Sequence, residues 1–328
     1  METITDTRAL TFSVVIEWEN ALLSELGRTR EMLKQLHEQL TEAVEARYPN
    51  PEIIILYDKE AVNQQLIEEV VEEAAELEAW PADMRIIPTR GLEYYEQKNF
   101  GAQQSDSELI VFLDSDVIPE PGWLAALLET FQDPQMQVVG GNTYVAPEGL
   151  YGKSFGLFWF FERRATGDGL RRTNQLWANN VAFRRQTFEA FPFRRENEAF
   201  RSQCTALWRT LQEHDIDIFI RERSKVSHPP PNGCRHFVSY ALCQGHDIVL
   251  NRPSSVGRAA SIADDLKRYV RTVGGMLKRI VRHHRDVQLG PAGIVGAIGI
   301  GFCYHTLTFA GALLTYIWPE IIQRYFAI

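Results

Sequence analysis

Short apolar runs alternate with stretches of helical periodicity through the N-terminal third of the chain. The runs that predict buried strands lie at residues 12–16, 53–56, 85–88 and 109–113. The intervening segments with apolar side chains on one helical face are 20–47, 62–80 and 94–104. Strands that alternate with helices through short loops are typical of a mostly parallel sheet flanked by helices. The pattern therefore predicts an α/β fold.

Acidic side chains fall at the ends of the predicted strands. Glu17 follows the first strand, Asp58 the second, and Asp114 and Asp116 the fourth. Ligands of such sheets bind beyond the carboxyl ends of the strands. Alternation would point Asp114 and Asp116 to the same side, and Mg²⁺ or Mn²⁺ takes carboxylate oxygens while keeping positions open for phosphate. The motif predicts a divalent cation site; the alternative is an Asx-turn that caps a helix predicted at 121–131.

The C-terminal end has the composition of a membrane segment. No charged residue occurs between Pro291 and Pro319, and about 20 apolar residues suffice for a transmembrane helix. The preceding stretch, 258–285, holds eight Lys and Arg against two Asp, interleaved with apolar residues, which predicts a basic amphipathic helix on anionic headgroups. Only Arg324 is basic beyond the apolar stretch, so the positive-inside rule predicts that the large N-terminal domain lies on the cytoplasmic side. A glycine-rich soluble core helix or a re-entrant segment is the alternative.

Composition narrows the class of protein. The chain has 328 residues, 45% of them hydrophobic, and a net charge of −9. Because 258–285 carries an excess of +6, the remainder is near −15, which argues against a general nucleic-acid binder. The first ten residues lack the apolar core of a signal peptide, and four cysteines without a paired framework suit a reducing compartment. We predict a domain at 1–250 with halves at about 10–133 and 134–250, a juxtamembrane segment at 251–290 and a transmembrane end at 291–328.

Several motifs together resemble one enzyme family. They are the strand Ser13-Val-Val-Ile16 leading to Asn20, Asp58 after the second strand, Lys98-Asn99-Phe100-Gly101, Asp114-Ser115-Asp116 with Pro119 and Pro121-Gly-Trp-Leu124, and His228. Over about residues 12–228 the chain is similar to the family 2 glycosyltransferases of the GT-A fold. The resemblance implies a Rossmann-like nucleotide-diphospho-sugar transferase, anchored here to the membrane by its C-terminus.

The resemblance also implies roles for particular residues. A sugar nucleotide would be bound by Glu17, Asn20, Asp58, Lys98, Asn99 and Asp114. Mg²⁺ or Mn²⁺ would be held by Asp114 and Asp116, with His228 completing the site, and Asp116 would carry the catalytic charge stabilisation. The acceptor would be a cell-envelope glycan or a lipid, in a pocket lined by Trp159, Trp177, Asn179 and Asn180.

Two departures from the family pattern leave alternatives open. The usual Pro-Thr-Tyr before Asn20 reads Glu17-Trp18-Glu19. The string that normally ends in the Asp base reads Arg201-Ser202-Gln203-Cys204, so the base would fall to Cys204 or to the nearby Glu198 or Glu196. A membrane-tethered protein that binds sugar nucleotides without turnover is one rival. A nucleotidyltransferase is the other, although the glycine-rich loop expected after the first strand is absent from the sequence.

Overall fold

A computed structural model describes residues 10–46, 48–76, 78–195, 199–252 and 258–326. The strands are β1 Phe12–Glu17, β2 Glu52–Asp58, β3 Asp83–Thr89, β4 Leu109–Asp114, β5 Ile118–Pro119, β6 Val138–Val145, β7 Leu170–Thr173, β8 Asn180–Arg184 and β9 Ile218–His228. The helices are α1 Glu19–Leu23, α2 Leu26–Glu45, α3 Gln64–Ala74, α4 Tyr94–Gln103, α5 Trp123–Thr130, α6 Gly149–Phe158, α7 Arg185–Ala190, α8 Gln203–Glu213, α9 Gly233–Leu250, α10 Arg258–His283, α11 Pro291–Ile317 and α12 Pro319–Phe326.

Within the described ranges, nine strands form one mixed sheet in the order β3-β2-β1-β4-β8-β6-β9-β5, with β7 added to β9. The strands β3, β2, β1 and β4 are parallel, as their alternation with helices predicts. Beyond β4 the pairing changes, since β8 is antiparallel to both β4 and β6. The predicted parallel sheet is therefore one half of a larger mixed α/β sheet, and the apolar pattern does not encode the antiparallel pairing of the other half.

The parallel register explains why distant carboxylates converge. The last residue of β1, Glu17, pairs with Asp114, the last residue of β4. Asp58 ends β2 opposite Thr89. Because parallel strands end at one edge of the sheet, residues 97 positions apart in sequence become neighbours.

One predicted helix is broken in a way that matters for the site. The segment 20–47 reads as a continuous helix, but α1 ends at Ser24, whose backbone is extended at φ −108° and ψ −171°. A new helix, α2, begins at Leu26. The break places Arg28 in the first turn of α2.

The chain forms two compact units that interleave along the sequence. The first consists of residues 10–143, 164–194 and 204–228, and the second of 144–163, 195–203 and 229–326. In the first unit the sheet is buried on both faces: Leu33 and Leu36 of α2 pack on one side, and Phe183 and Phe188 belong to the cluster on the other. The linear boundaries at 250 and 290 remain predictions.

The second unit is built around α11. This helix packs against α6, α9, α10 and α12. Its contact with α9 is close, because a Cβ on Gly311 would lie 2.3 Å from the Leu242 carbonyl oxygen and one on Gly245 would lie 2.0 Å from that of Thr308. Within the described residues, α11 is the one helix long and apolar enough to cross a membrane, with a mean hydropathy of 1.5 over its most apolar window and 33% of that window buried. It supports membrane anchoring.

Candidate active site

Asp114, at the end of β4, is the centre of a buried polar cluster. Its side chain accepts hydrogen bonds from Lys98 Nζ at 2.7 Å, from the Tyr94 hydroxyl at 2.8 and 2.9 Å, and from Asn20 Nδ2 at 3.1 Å. Lys98 is fully buried and Asp114 is 3% exposed. Each carboxylate oxygen has two lone pairs, so these donors occupy most of the accepting capacity of Asp114. The carboxylate is held in one orientation with its charge balanced by Lys98.

Glu17 is a second buried carboxyl in the same cluster. Its oxygens accept hydrogen bonds from the Asn20 side chain at 2.8 Å and the Asn20 amide at 3.2 Å. Burial, and then the charge of Asp114, raise the pKa of Glu17 well above its usual value. Asn20 therefore links the ends of β1 and β4 through two carboxyl groups, which brings three of the predicted residues together.

Asp116 lies two residues beyond β4 and is connected to the strand that carries His228. The Arg28 guanidinium donates to the Asp116 carbonyl at 2.6 Å, to the Ser227 hydroxyl at 3.0 Å and also to the Ser227 carbonyl. β5 pairs antiparallel with β9, Ile118 opposite Ser227. Because Arg28 bonds both segments and β5 pairs with β9, the loop of Asp116 and the end of β9 are adjacent.

Asp58 lies at the same edge of the sheet, where its carboxylate organises two loops. One oxygen accepts from the amide of Glu60 at 2.9 Å and the other from the amide of Gly91 at 3.3 Å. Gly91 has a φ of +62°, which favours glycine. Each oxygen of this half-buried carboxylate accepts one of these hydrogen bonds. Each oxygen therefore has a second lone pair that these bonds do not use.

Two predicted ligand-binding residues make internal contacts instead. Lys98 was expected to contact the phosphates or sugar, but its Nζ points at Asp114 and lies 4.8 Å from the centre of the Tyr94 ring. Asn99 exchanges two hydrogen bonds with the Phe193 backbone, at 2.8 and 3.1 Å. Both side chains support the site from within the first unit, and their contact with a ligand remains a prediction.

The candidates for the base are less well placed. Cys204, in the first turn of α8, lies 3.4 Å from the Tyr95 hydroxyl. Burial raises the pKa of its thiol, which disfavours the thiolate. Glu196 and Glu198 lie outside the described residues.

Of the residues predicted to line the acceptor pocket, Trp159, Asn179 and Asn180 form hydrogen bonds to other side chains of the protein. Trp159 donates to the Tyr304 hydroxyl at 3.0 Å inside the second unit. In the first unit, Asn180 accepts from Trp123 Nε1 at 2.7 Å, and Asn179 accepts from the Thr143 hydroxyl at 3.2 Å. Trp177 is half-buried. The two adjacent asparagines thus have internal partners that explain their place in an apolar strand.

Two residues of the site, Tyr94 and Arg28, were not assigned from the sequence. Tyr94 had a signal, because it precedes Lys98 by four positions on α4 and therefore shares its face. Arg28 had none, since its position depends on the helix break at Ser24.

The carboxylate oxygens of the site suit a hard divalent cation whose remaining coordination positions are filled by the substrate. Among the described residues, no group of three or more His, Cys, Asp or Glu side chains is arranged to hold a metal ion. Mg²⁺ commonly uses one or two carboxylates together with substrate phosphates and water, so such a cage is not required. Asp116 is 6% exposed, and Arg28 holds the backbone of its loop beside the end of β9.

A mixed sheet with acidic residues at the ends of its parallel strands is the architecture that the resemblance to the GT-A glycosyltransferases predicts. Residues 24–209 match the family model described as Glycosyl transferase family 2, which covers more than half of the chain. The chain belongs to glycosyl transferase family 2, as its motifs predict.

Similar proteins agree with this class. Glucosyl-dolichyl phosphate glucuronosyltransferase of Haloferax volcanii is 27% identical over 107 residues, which are 30% of this chain and 33% of that protein. The chain thus matches about a third of the length of that curated relative. The mannosyltransferase PcManGT from Pyrobaculum calidifontis, solved in complex with GDP-Man and Mn²⁺, superposes with a TM-score of 0.55 at 13% identity, covering 96% of this chain and 89% of that one. At that identity the likeness shows the fold.

Proposed function

We propose that this glycosyltransferase moves a sugar from a nucleoside diphosphate donor to a lipid-linked acceptor of the cell envelope, with Mg²⁺ or Mn²⁺ held by Asp116 and His228. The observation that carries the proposal is the bridge made by Arg28, which joins the Asp116 loop to Ser227 beside His228. Carboxylate oxygens are ligands that suit Mg²⁺ and Mn²⁺, and the bridge brings the loop of Asp116 close to the strand end that carries His228. The solved mannosyltransferase of the same fold holds Mn²⁺ with its sugar nucleotide, which supports this choice.

The two aspartates of the motif divide the work. Asp114 accepts hydrogen bonds from Lys98, Tyr94 and Asn20, so it positions the end of β4 and the loop that follows. Asp116, whose loop Arg28 holds beside the end of β9, is the residue that we assign to the cation. A bound cation would supply charge stabilisation for the departing diphosphate.

Asp58 is the residue of this edge suited to the nucleoside. Its loops are fixed by the Glu60 and Gly91 amides, so its remaining lone pairs have a defined direction. A carboxylate accepts hydrogen bonds from the N–H groups of a base. Asn20 donates to both Glu17 and Asp114, so it helps to orient Asp114 from within the cluster.

The lipid-linked acceptor is supported by the membrane end of the chain and by one relative. The Haloferax volcanii protein is named for a dolichyl phosphate acceptor. A C-terminal unit with an apolar helix of 27 residues suits an enzyme whose acceptor is held in a bilayer.

The test uses the purified full chain in detergent with UDP- and GDP-linked sugars, Mn²⁺ or Mg²⁺, and polyprenyl phosphate or its monosaccharide derivative. Release of free nucleoside diphosphate and label in the lipid extract are both expected. Asp116→Asn should lower turnover by about a thousandfold, roughly 4 kcal/mol of lost transition-state stabilisation. Mn²⁺ binding in the presence of nucleoside diphosphate, followed by electron paramagnetic resonance, should be lost in parallel.

The matched control is Asp106→Asn. Asp106 is an exposed aspartate that precedes the first residue of β4, whereas Asp116 follows the last one. It should keep full turnover and Mn²⁺ binding. Full turnover by Asp116→Asn would refute the cation assignment. Nucleoside diphosphate release with label only in soluble products would refute the lipid acceptor while leaving the donor half intact.

A further inference from the structure

The packing of α10 on α11 bears on how the second unit meets a membrane. The two helices are antiparallel, and three contacts mark their register. The Tyr316 hydroxyl bonds Asp265 at 2.8 Å, the Tyr269 hydroxyl lies 3.0 Å from the Thr306 hydroxyl, and a Cβ on Gly301 would lie 2.4 Å from Met276 Sδ. On α11 these positions span about 22 Å, at 1.5 Å per residue, so α10 accompanies most of the apolar helix.

Composition alone predicts that α11 crosses the bilayer, but α10 would have to cross beside it. Exposed basic side chains follow α10 along the stretch that flanks α11: Lys267, Arg268, Arg271, Lys278 and Arg282. A crossing by α11 needs about 30 Å of hydrocarbon, so several of these charges would lie at hydrocarbon depth. Charged side chains on the lipid-exposed side of a spanning helix are strongly disfavoured.

The same helix offers an apolar face to solvent. Leu266, Val270, Leu277 and Val281 are 51%, 62%, 37% and 64% exposed. Their spacing of four, seven and four residues puts them in one stripe, beside the basic side chains and separate from the buried positions that face α11.

The apolar stripe of α10 continues onto α11. The Tyr269 ring lies 6.5 Å from that of Phe302 and 5.3 Å from that of Phe309. Phe302 is 51% exposed, and Val295, two turns earlier on the same face, is 71% exposed. The two helices therefore present one shared apolar face, bordered by the lysines and arginines of α10.

We propose that α10 and α11 lie in the plane of an anionic membrane, with this shared face in one leaflet and the basic side chains at the headgroups, and that α11 does not cross. Seven Lys and Arg between 267 and 285 complement anionic lipid. Trp318 and Tyr325, each 63% exposed, suit the interfacial region in which aromatic residues concentrate. This inference is independent of the donor and acceptor assigned above.

The first test is co-flotation of the full chain with vesicles of phosphatidylglycerol and phosphatidylcholine, or of phosphatidylcholine alone. The wild-type chain should float with the anionic vesicles and at least tenfold less with the neutral ones. Val270→Glu and Val281→Glu change exposed side chains and should each reduce flotation by tenfold or more. Val44→Glu, on the exposed face of α2, is the matched control and should float as the wild type does.

The second test separates an in-plane helix from a crossing one. Lys278→Cys and Arg324→Cys are made separately, and sealed vesicles with the cytoplasmic face outward are treated with a membrane-impermeant maleimide-polyethylene glycol. Each variant should gain one mass shift over the wild type without detergent. Arg324→Cys that reacts only after the vesicles are lysed would overturn the proposal, and so would flotation that Val270→Glu and Val281→Glu leave unchanged or a wild type that fails to bind anionic vesicles.

Discussion

Asp114 and Asp265 are two buried carboxylates with the same kinds of partner. Asp114 accepts from Lys98 at 2.7 Å and from the Tyr94 hydroxyl, and Asp265 accepts from Arg252 at 2.5 Å and from the Tyr316 hydroxyl. The difference lies in what surrounds them. Through Asn20, Asp114 is linked to a second buried carboxyl, whereas the partners of Asp265 bond one another, since Arg252 also donates to Tyr316 at 2.9 Å.

This difference separates a functional ion pair from a structural one. Arg252 lies two residues beyond the end of α9, Asp265 lies on α10 and Tyr316 on α11, so their bonds tie three helices together. A buried ion pair contributes little net stability but is strongly destabilising when one partner is lost. In the first unit, a similar ion pair holds Asp114 beside a second buried carboxyl, Glu17. These two groups lie at the edge of the sheet where the sugar nucleotide is expected to bind. Removal of single partners should distinguish the two.

Lys98→Met should have the largest effect. It leaves Asp114 buried beside Glu17 without a cation, so the free energy of unfolding should fall by about 3–5 kcal/mol. Because Asp114 positions the loop of Asp116, kcat/KM should fall by at least about a hundredfold. Chemical denaturation and nucleoside diphosphate release, measured where the variant is still folded, check both values.

A second substitution tests the cause of that loss. Asp114→Asn added to Lys98→Met removes the uncompensated charge and should restore most of the stability, but not the activity. Stability within about 1 kcal/mol of wild type for Lys98→Met alone would show that the pair is not essential to the fold.

Arg252→Met should affect stability alone, and less strongly. The guanidinium is 13% exposed, so water can partly replace it, and a loss of about 1–3 kcal/mol is expected. The kcat/KM of the folded variant in detergent should stay within threefold of wild type. A fall in kcat/KM as large as that of Lys98→Met would remove the distinction between the two pairs.

The contrast also shows how far sequence reasoning reaches. The convergence of Glu17 and Asp114 was predictable because buried parallel strands end at one edge of the sheet. The inward orientation of Lys98 was not, since a lysine after two tyrosines on a helix serves equally well as a phosphate ligand or as a counter-ion. Only packing against Phe112 and Asp114 decides between them.

The C-terminal helices show the same limit. Hydropathy identified α11 as a membrane segment from its own composition. The basic amphipathic helix α10 was predicted in the same way, but its packing against α11 is recognised only from contacts such as Tyr269 with Phe309. Local pattern therefore predicts which segments are apolar, while their depth in a membrane depends on what packs beside them.

Tyr94→Phe and Tyr316→Phe compare the two tyrosine hydroxyls directly. Each loses a hydrogen bond to a carboxylate, so each should lower the free energy of unfolding by about 1–2 kcal/mol. Only Tyr94→Phe should also lower kcat/KM, by about tenfold, because Asp114 loses one of its orienting donors. Steady-state kinetics at saturating Mn²⁺ would measure this, and equal kcat/KM values for the two variants would contradict the assignment of Tyr94 to the site.

Cys204→Ala tests whether the functional cluster around Asp114 extends to Cys204. It should have the smallest effect on kcat/KM. The thiol contacts Tyr95, next to Tyr94, yet it makes no bond to Asp114. Burial raises its pKa above the ordinary value of about 8.5, so the thiol stays protonated at neutral pH and is a poor base. The kcat/KM should therefore stay within threefold of wild type, and the pH profile of turnover should not move. A hundredfold loss together with a shifted profile would instead identify Cys204 as the base that takes the acceptor proton, and the cluster around Asp114 would then extend to α8.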